Sequence, residues 1–505
     1  MRAFRPLLCV ALIALGDIAV ATVEVAPFFG SHMVLQRDKP VVVWGTAKSD
    51  EVVNVKLGAA EAVTKANKNG QWKVEFAPLA TSFDPITLRV GDIVFEDILV
   101  GDVWLTSGQS NMVFPLERTD GFDVEAIISN SRLRLMRLRN PRNVAIDGYT
   151  DEELARSNVD DFFRGEWEVS DADSAADFSA VAWIMGNMLS QRLDVPVGLV
   201  QVAVGGSAIN NWLPPQLLKD HSHTSHLYRG DWLSNEKVHA PHRRRAREAF
   251  QNVLVDGAAW VPGKMPYRWM CEPGFLFESG IQPLANVAFR GVAWYQGETD
   301  AVQYHTASQY RDLLPLMIRA WRDNFGDVSL PFIVVQLPRH NVDSWPAFRH
   351  AQGEVAEQVS NVSLVVTIDT GFEDDVHPTD KGPIGKRMAI AALTDVYRSA
   401  SQPRYPVLSR VRASGFEVNI TLSETDLGER ALELPGFEIG DQYGEFFPAG
   451  ALVRGRDQIV IRSPVACPRF LRYGWTPYPK PDLEIFNDHG MPLAPFRVEL
   501  DSCHR

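Results

Sequence analysis

Four short clusters combine small residues with groups that do chemistry, and each follows an apolar run. In Gly108-Gln109-Ser110-Asn111-Met112 the glycine permits a tight bend that would present Ser110 as a nucleophile. Val204-Gly205-Gly206-Ser207 offers backbone N–H groups that a substrate can approach closely, as an oxyanion requires. Trp294-Tyr295-Gln296-Gly297-Glu298-Thr299-Asp300 adds a side-chain amide and carboxylates beside a glycine. In Asp374-Asp375-Val376-His377-Pro378 a carboxylate two or three residues before the histidine can reach the ring and hold its tautomer, with proline stiffening the turn. Singly, each has a plainer reading: a capping serine, a loop needing positive φ, a carboxylate that caps the next helix, a loop histidine. Together they comprise nucleophile, base, orienting acid and oxyanion donors, the parts of acyl transfer.

A sheet must bring them together, because in open α/β sheets ligands bind beyond the carboxyl ends of the strands. After Gly101, strand and helix signals alternate: a strand ending at Trp104-Leu105, an amphipathic stretch over 179–193, and strands over 197–204 and near 292–295. A helix then carries Tyr310, Leu313, Leu314, Met317, Ile318, Trp321 and Phe325 at three- and four-residue spacings. A strand over 331–337, a helix over 347–359, a strand over 362–368 and a helix over 381–397 complete the section. This alternation predicts an α/β domain with a mostly parallel sheet covered on both faces. Before it, short β runs at 41–44, 52–57, 72–76, 86–90 and 93–100, punctuated by Asn69-Gly70 and Gly91-Asp92, predict a small antiparallel sandwich. From 402 the β texture returns. The expected division is a signal segment 1–21, an N-terminal β module 22–100, a catalytic domain 101–400 and a C-terminal β-rich module 401–505. The polar stretch 213–270, with Arg243, Arg244, Arg245 and Arg247, reads as a solvated helix face or an insertion in preference to an anion-binding patch.

At 505 residues, 45% hydrophobic and 22% charged, the chain is long and apolar enough for about three domains with their own cores. Fifty basic and sixty-three acidic side chains give 50 − 63 = −13, which argues against a general nucleic-acid or anionic-membrane partner. Arg2 and Arg5, the apolar run 7–15 and Ala19-Val20-Ala21 read as an export signal cleaved after Ala21, so the mature protein is expected to be soluble in a periplasmic, extracellular or lysosomal compartment. Cys9 leaves with it; Cys271, Cys467 and Cys503 then permit at most one intramolecular disulfide. There is no CxxC pair, and His221, His223 and His226 read as a polar loop, so no metal is expected, and acyl transfer by serine and histidine requires no organic cofactor.

The four clusters resemble the sialate O-acetylesterase family of the SGNH hydrolase superfamily. Met33-Val34-Leu35-Gln36-Arg37, the run 331–337, Tyr473-Gly474-Trp475 and Met491-Pro492-Leu493-Ala494-Pro495-Phe496-Arg497 extend the resemblance from about residue 28 to about residue 497. It implies an SGNH-type three-layer sandwich, flanked by the two β modules. It further implies Ser110 as nucleophile, His377 as base, and an oxyanion hole of the Ser110 and Gly206 N–H groups and the Gln296 amide. The orienting acid stays open: Asp374 fits the superfamily's D-x-x-H spacing, Asp375 the family's own pattern, and Glu298 a related block. Gln109, Asn111, Glu298 and Arg349 are the expected substrate contacts. Met112 stands where the α/β-hydrolase elbow G-x-S-x-G needs glycine. The implied substrate is an O-acetylated sugar or glycan, foremost acetylated sialic acid. Two alternatives are acetylated xylan or another polysaccharide, with Trp212, Trp294 and Trp345 as stacking candidates more readily read as core, and a non-catalytic carbohydrate-binding protein.

Overall fold

A computed structural model describes residues 23–123, 130–255, 257–399, 402–428, 433–480, 483 and 485–501. The expected signal segment, Cys9 and Cys503 lie outside the described residues. Among these residues the first half of the chain carries β1 (Glu24–Val25), β2 (Val34–Gln36), β3 (Val41–Thr46), β4 (Val52–Leu57), β5 (Ala60–Lys65), β6 (Gln71–Phe76), β7 (Ser82–Val90) and β8 (Ile93–Gly108). Then come β9 (Asn130–Arg137), β10 (Trp167–Ser170), β11 (Val197–Ala203), β12 (Gly291–Tyr295), β13 (Phe332–Val335) and β14 (Val362–Val365). The helices are α1 (Ser110–Val113), α2 (Asp151–Arg156), α3 (Ala172–Ala176), α4 (Ala180–Leu193), α5 (Pro215–Asp220), α6 (Ala240–Ala249), α7 (Ala307–Asn324), α8 (Trp345–Gln358) and α9 (Gly382–Ala391).

The central path of the main sheet runs β10-β9-β11-β8-β12-β13-β14. Every pair from β9 to β14 along this path is parallel, and β10 pairs antiparallel with β9. The strands β11, β12 and β13 are buried throughout, as a sheet covered on both faces demands. Alternation sorts their side chains between two cores. Val292, Trp294, Phe332 and Val334 pack with Leu313, Trp321 and Phe348 from α7 and α8; Ala293, Tyr295, Ile333 and Val335 pack with Ile184, Met185 and Met388 from α4 and α9. The helix starts are built locally: Ser179 caps α4 by accepting from the Ala182 N–H, and Thr306 and Gln309 form a capping box on α7.

The sheet is more mixed than the sequence predicts. It has 11 strands, because β2, β4, β5 and β7 join it through β8, mostly in antiparallel pairing. The boundary expected at 100/101 therefore falls within one continuous strand. Gly101 reads as punctuation, yet a Cβ there would sit 2.0 Å from the carbonyl oxygen of Pro196; the glycine admits a neighbouring backbone and does not end the strand.

The stretch 213–270 exposes Arg244 and Arg247 on α6 but is not polar throughout. Trp232, Phe250, Trp260 and Trp269 are buried, and the Phe250 and Trp260 rings lie 4.9 Å apart. Buried Glu272 accepts hydrogen bonds from the Trp260 indole at 2.8 Å and from Arg268 at 2.6 Å. Aromatic anchors at irregular spacing bury a segment without leaving a period to read. Beyond residue 406, a five-stranded and a four-stranded antiparallel sheet enclose a separate core that includes Ile420, Ile439, Ile461 and Leu471. Cys467 is disulfide-bonded, and Cys271 is a buried free thiol. Among the described residues no helix is long and apolar enough to cross a membrane.

Candidate active site

β8 ends at Gly108 with φ +143°, and a Cβ there would meet the Tyr295 carbonyl oxygen at 2.0 Å. Only glycine lets the two central strands close up at this point. The Gln109 N–H then donates to that same carbonyl at 3.0 Å, and α1 begins at Ser110. The Ser110 hydroxyl lies 2.8 Å from Nε2 of His377, whose Nδ1 lies 3.0 Å from Oδ1 of Asp375. With the serine O–H donating to Nε2, the ring's own proton sits on Nδ1 and donates to the carboxylate. Oδ1 of Asp375 also accepts the His377 backbone N–H at 2.9 Å, fixing the loop that carries the ring. Burial pushes the His377 pKa below its ordinary value despite the opposing pull of Asp375, so the ring is a neutral acceptor at neutral pH. Burial also raises the Asp375 carboxyl, but hydrogen bonds from His377 outweigh it and hold the group below the usual carboxylate range.

The three acids left open by the sequence separate here. Asp375 touches the imidazole; Asp374 is exposed and makes no side-chain hydrogen bond among the described residues. Glu298 is engaged elsewhere, through Oε1, with Asn111 at 2.5 Å.

The glycine loop after β11 abuts the serine. A Cβ on Gly205 would lie 3.6 Å from Cβ of Ser110, so Gly205, one residue earlier than expected, packs against the nucleophile. Gly206 takes φ +73° and its carbonyl lies 2.7 Å from Nε2 of buried His242. The N–H groups of Ser110, Gly205 and Gly206 have no hydrogen-bond acceptor among the described residues. Gln296 departs from its expected role as oxyanion donor. Its NH2 is spent on Asp300 at 2.5 Å, the Ser207 carbonyl at 3.1 Å and Gln109 at 3.2 Å, and its carbonyl oxygen faces the Tyr310 hydroxyl. Asp300 in turn meets His305 at 2.6 Å. Gln109 has the reverse arrangement: its Oε1 faces Gln296, Gly297 and Thr299, and its NH2 has no partner among the described residues.

Two expected substrate contacts prove internal. Asn111 is wholly buried: its NH2 donates to Glu298 and, at 2.9 Å, to the Val376 carbonyl, while its oxygen accepts from Lys381 at 2.5 Å. Arg349 is also buried, its guanidinium donating to the carbonyls of Gly474, Thr476 and Pro477. Burial lowers its pKa to about 9, and it fastens the C-terminal region to α8. Trp212, Trp294 and Trp345 are fully buried and form part of the core. Lys381 has no counterpart in the sequence reading beyond the start of a helix. Two arginines near these residues have no ion pair or side-chain hydrogen bond among the described residues. Arg118 lies over the Phe114 ring at 5.2 Å, and its charge opposes protonation of His377. Nη1 of Arg245 lies 3.3 Å from where a Gly206 Cβ would stand.

The family profile described as carbohydrate esterase, sialic acid-specific acetylesterase matches residues 255–394. The sialate O-acetylesterase of Mus musculus is 24% identical, with 94% of each chain covered. That of Homo sapiens is 26% identical over 74% of this chain and 71% of its own. The crystal structure of a carbohydrate acetylesterase from Xanthomonas citri superposes with a TM-score of 0.75 at 28% identity, covering 94% of this chain and 99% of that one. These matches support the sialate O-acetylesterase family for this chain. Members of the sialate O-acetylesterase family are carboxylic ester hydrolases, and glycan O-deacetylation is the chemistry the comparisons support. The matched profile segment holds Gln296, Glu298, Asp375, His377 and Lys381, whereas Ser110 reaches this group from β8, outside that segment.

Proposed function

We propose that the protein is an exported serine esterase that removes O-acetyl groups from sialic acid through an acetyl-enzyme on Ser110. The observation that carries this reading is the 2.8 Å approach of the Ser110 hydroxyl to Nε2 of His377, with Asp375 on the opposite nitrogen. His377 takes the serine proton as Oγ bonds to the acetyl carbon. The N–H groups of Ser110 and Gly205 receive the developing oxyanion, with the Gln109 NH2 as the side-chain donor in place of Gln296. The C–O bond to the sugar breaks, and the proton on Nε2 passes to the leaving alcohol. Water then gives its proton to the same nitrogen and attacks the acetyl carbon; acetate leaves as Ser110 recovers its proton. No step requires a metal or organic cofactor.

The parallel strands with helices on both faces support an SGNH-type three-layer catalytic unit, with a β-rich N-terminal region continuous with its sheet through β8 and a β-rich C-terminal module. Arg118 and Arg245 favour an anionic sugar over a neutral polysaccharide, because an unpaired guanidinium matches a carboxylate. The burial of Trp212, Trp294 and Trp345 removes the aromatic platform proposed for xylan. The test compares acetate release from O-acetylated sialic acid and from acetylated xylan, with wild type and Ser110→Ala. The reading expects preference for the sialic acid and loss of turnover in the variant. Activity on xylan alone would overturn the substrate, and an active Ser110→Ala would overturn the mechanism.

A further inference from the structure

Beneath Ser110 a cation, an amide and a carboxyl form a buried chain that the mechanism above does not use. Lys381 is fully buried at the N-cap of α9, where the helix dipole disfavours positive charge. Among the described residues its ammonium makes one side-chain hydrogen bond, to Oδ1 of Asn111, and it faces the rings of Phe114 at 4.6 Å and Tyr295 at 5.8 Å. Asn111 is thereby oriented. With its oxygen drawn to Lys381, its NH2 must point the other way, and there it bridges Glu298 and the Val376 carbonyl. Val376 directly precedes His377, and Asn111 directly follows Ser110. One amide thus ties the segment bearing the nucleophile to the segment bearing the base.

We propose that Lys381 is a positioning residue: acting through Asn111, its ammonium holds the His377 segment at hydrogen-bonding distance from Ser110. The proposal rests on the serine mechanism above and adds a residue to it. An ammonium can only donate, so it dictates which way the Asn111 amide faces. A neutral amine also accepts, and the amide is then free to turn over, which would withdraw its NH2 from the Val376 carbonyl and from Glu298. The groups that face this lysine are Glu298 and Tyr295 from the end of β12, and Asp375 and His377 from its own loop; Asp300 and Arg118 act on Glu298 and His377 respectively. Burial lowers the Lys381 pKa to about 7 against the pull of Glu298 and Asp375, and burial raises that of Glu298, whose Oε2 has no hydrogen-bond partner among the described residues. Positioning is therefore firm below about pH 7 and loosens above it, while His377 must be neutral, which sets the acid limit below 6.5.

The experiment follows hydrolysis of an aryl acetate from pH 5 to 9 by the wild-type chain, Lys381→Met and Lys381→Arg, with folding monitored by circular dichroism. The aryl ester makes the outcome independent of the sugar. Wild-type kcat should rise through the imidazole limb and then fall as pH passes about 7. Lys381→Met should lower kcat by about 10²-fold near neutrality with KM changed less than about threefold, as misplacement of reacting groups predicts. Its alkaline limb should vanish, so that the two rates converge at high pH. Lys381→Arg, which keeps the charge, should restore part of kcat and move the limb upward. A wild-type kcat that stays level to pH 9 would overturn the proposal, and this readout stands even if a variant does not fold. A folded Lys381→Met with wild-type kcat would also overturn it. Retained activity in Ser110→Ala would instead dispose of the serine mechanism itself.

Discussion

Replacing Asp375 with asparagine removes the charge opposite Nδ1 of His377 and keeps the shape. What is lost depends on how wet the pair is. At 3.0 Å two unit charges attract by about 1.4 kcal/mol in a medium as polar as water and by about 5.5 kcal/mol at an effective dielectric of about 20. The Asp375 side chain is 59% exposed and that of His377 36%, which puts the pair toward the aqueous limit. A loss of about 1.5 to 3 kcal/mol in the transition state corresponds to a fall in kcat/KM of about 10- to 10²-fold. A fully buried triad carboxylate is worth about 10⁴-fold. The same substitution at Asp374 should change kcat/KM by less than about twofold, because that carboxylate makes no side-chain hydrogen bond or ion pair among the described residues. The assay is initial-rate acetate release by the two variants above the imidazole range, with folding checked by circular dichroism. A loss beyond about 10²-fold in Asp374→Asn with Asp375→Asn unaffected would refute the assignment. A loss of about 10⁴-fold at Asp375 would refute the argument from exposure.

Other consequences follow from the same geometry. Burial holds the His377 pKa below 6.5, so the protonated, inactive ring forms only at lower pH; kcat/KM should fall on the acid side with a midpoint below 6.5, and a midpoint above it would contradict the burial argument. Arg245→Gln should raise KM for O-acetylated sialic acid about tenfold and leave an aryl acetate within about twofold; equal losses on both would remove its part in carboxylate recognition. Arg349→Met strips three carbonyls of their buried donor and should destabilise the fold by about 3 kcal/mol, seen as an earlier thermal transition, with KM unchanged. A changed KM at full stability would return Arg349 to the substrate site.

The strand ends were the most legible feature. Short apolar runs such as 197–204 and 292–295 between helical patterns read as covered strands, which places the clusters after them on one edge, and Ser110 and His377 do meet there across 267 residues. Harder to read was the direction a polar side chain takes once the strand ends. Gln296, Asn111 and Arg349 all have types that bind substrates, but each lies where an internal partner claims it first: Asp300, Lys381 and three C-terminal carbonyls. The choice between Asp374 and Asp375 depends on one turn, which spacing alone leaves open. Lys381 did leave a trace, since a lysine just before Gly382-Pro383 puts a cation at the positive end of a helix, against the dipole. Gly101 misled because close backbone approach and chain punctuation both select glycine.

The central claim is that an acetyl group passes through Ser110. Rapid quenching of the enzyme with excess aryl acetate, followed by peptide mass mapping, reads this directly. One acetyl group should appear on the peptide containing Ser110, should decay at the rate at which acetate is released, and should be absent from Ser110→Ala. Full turnover by Ser110→Ala, or an acetyl group carried on another side chain at a rate matching turnover, would contradict the account.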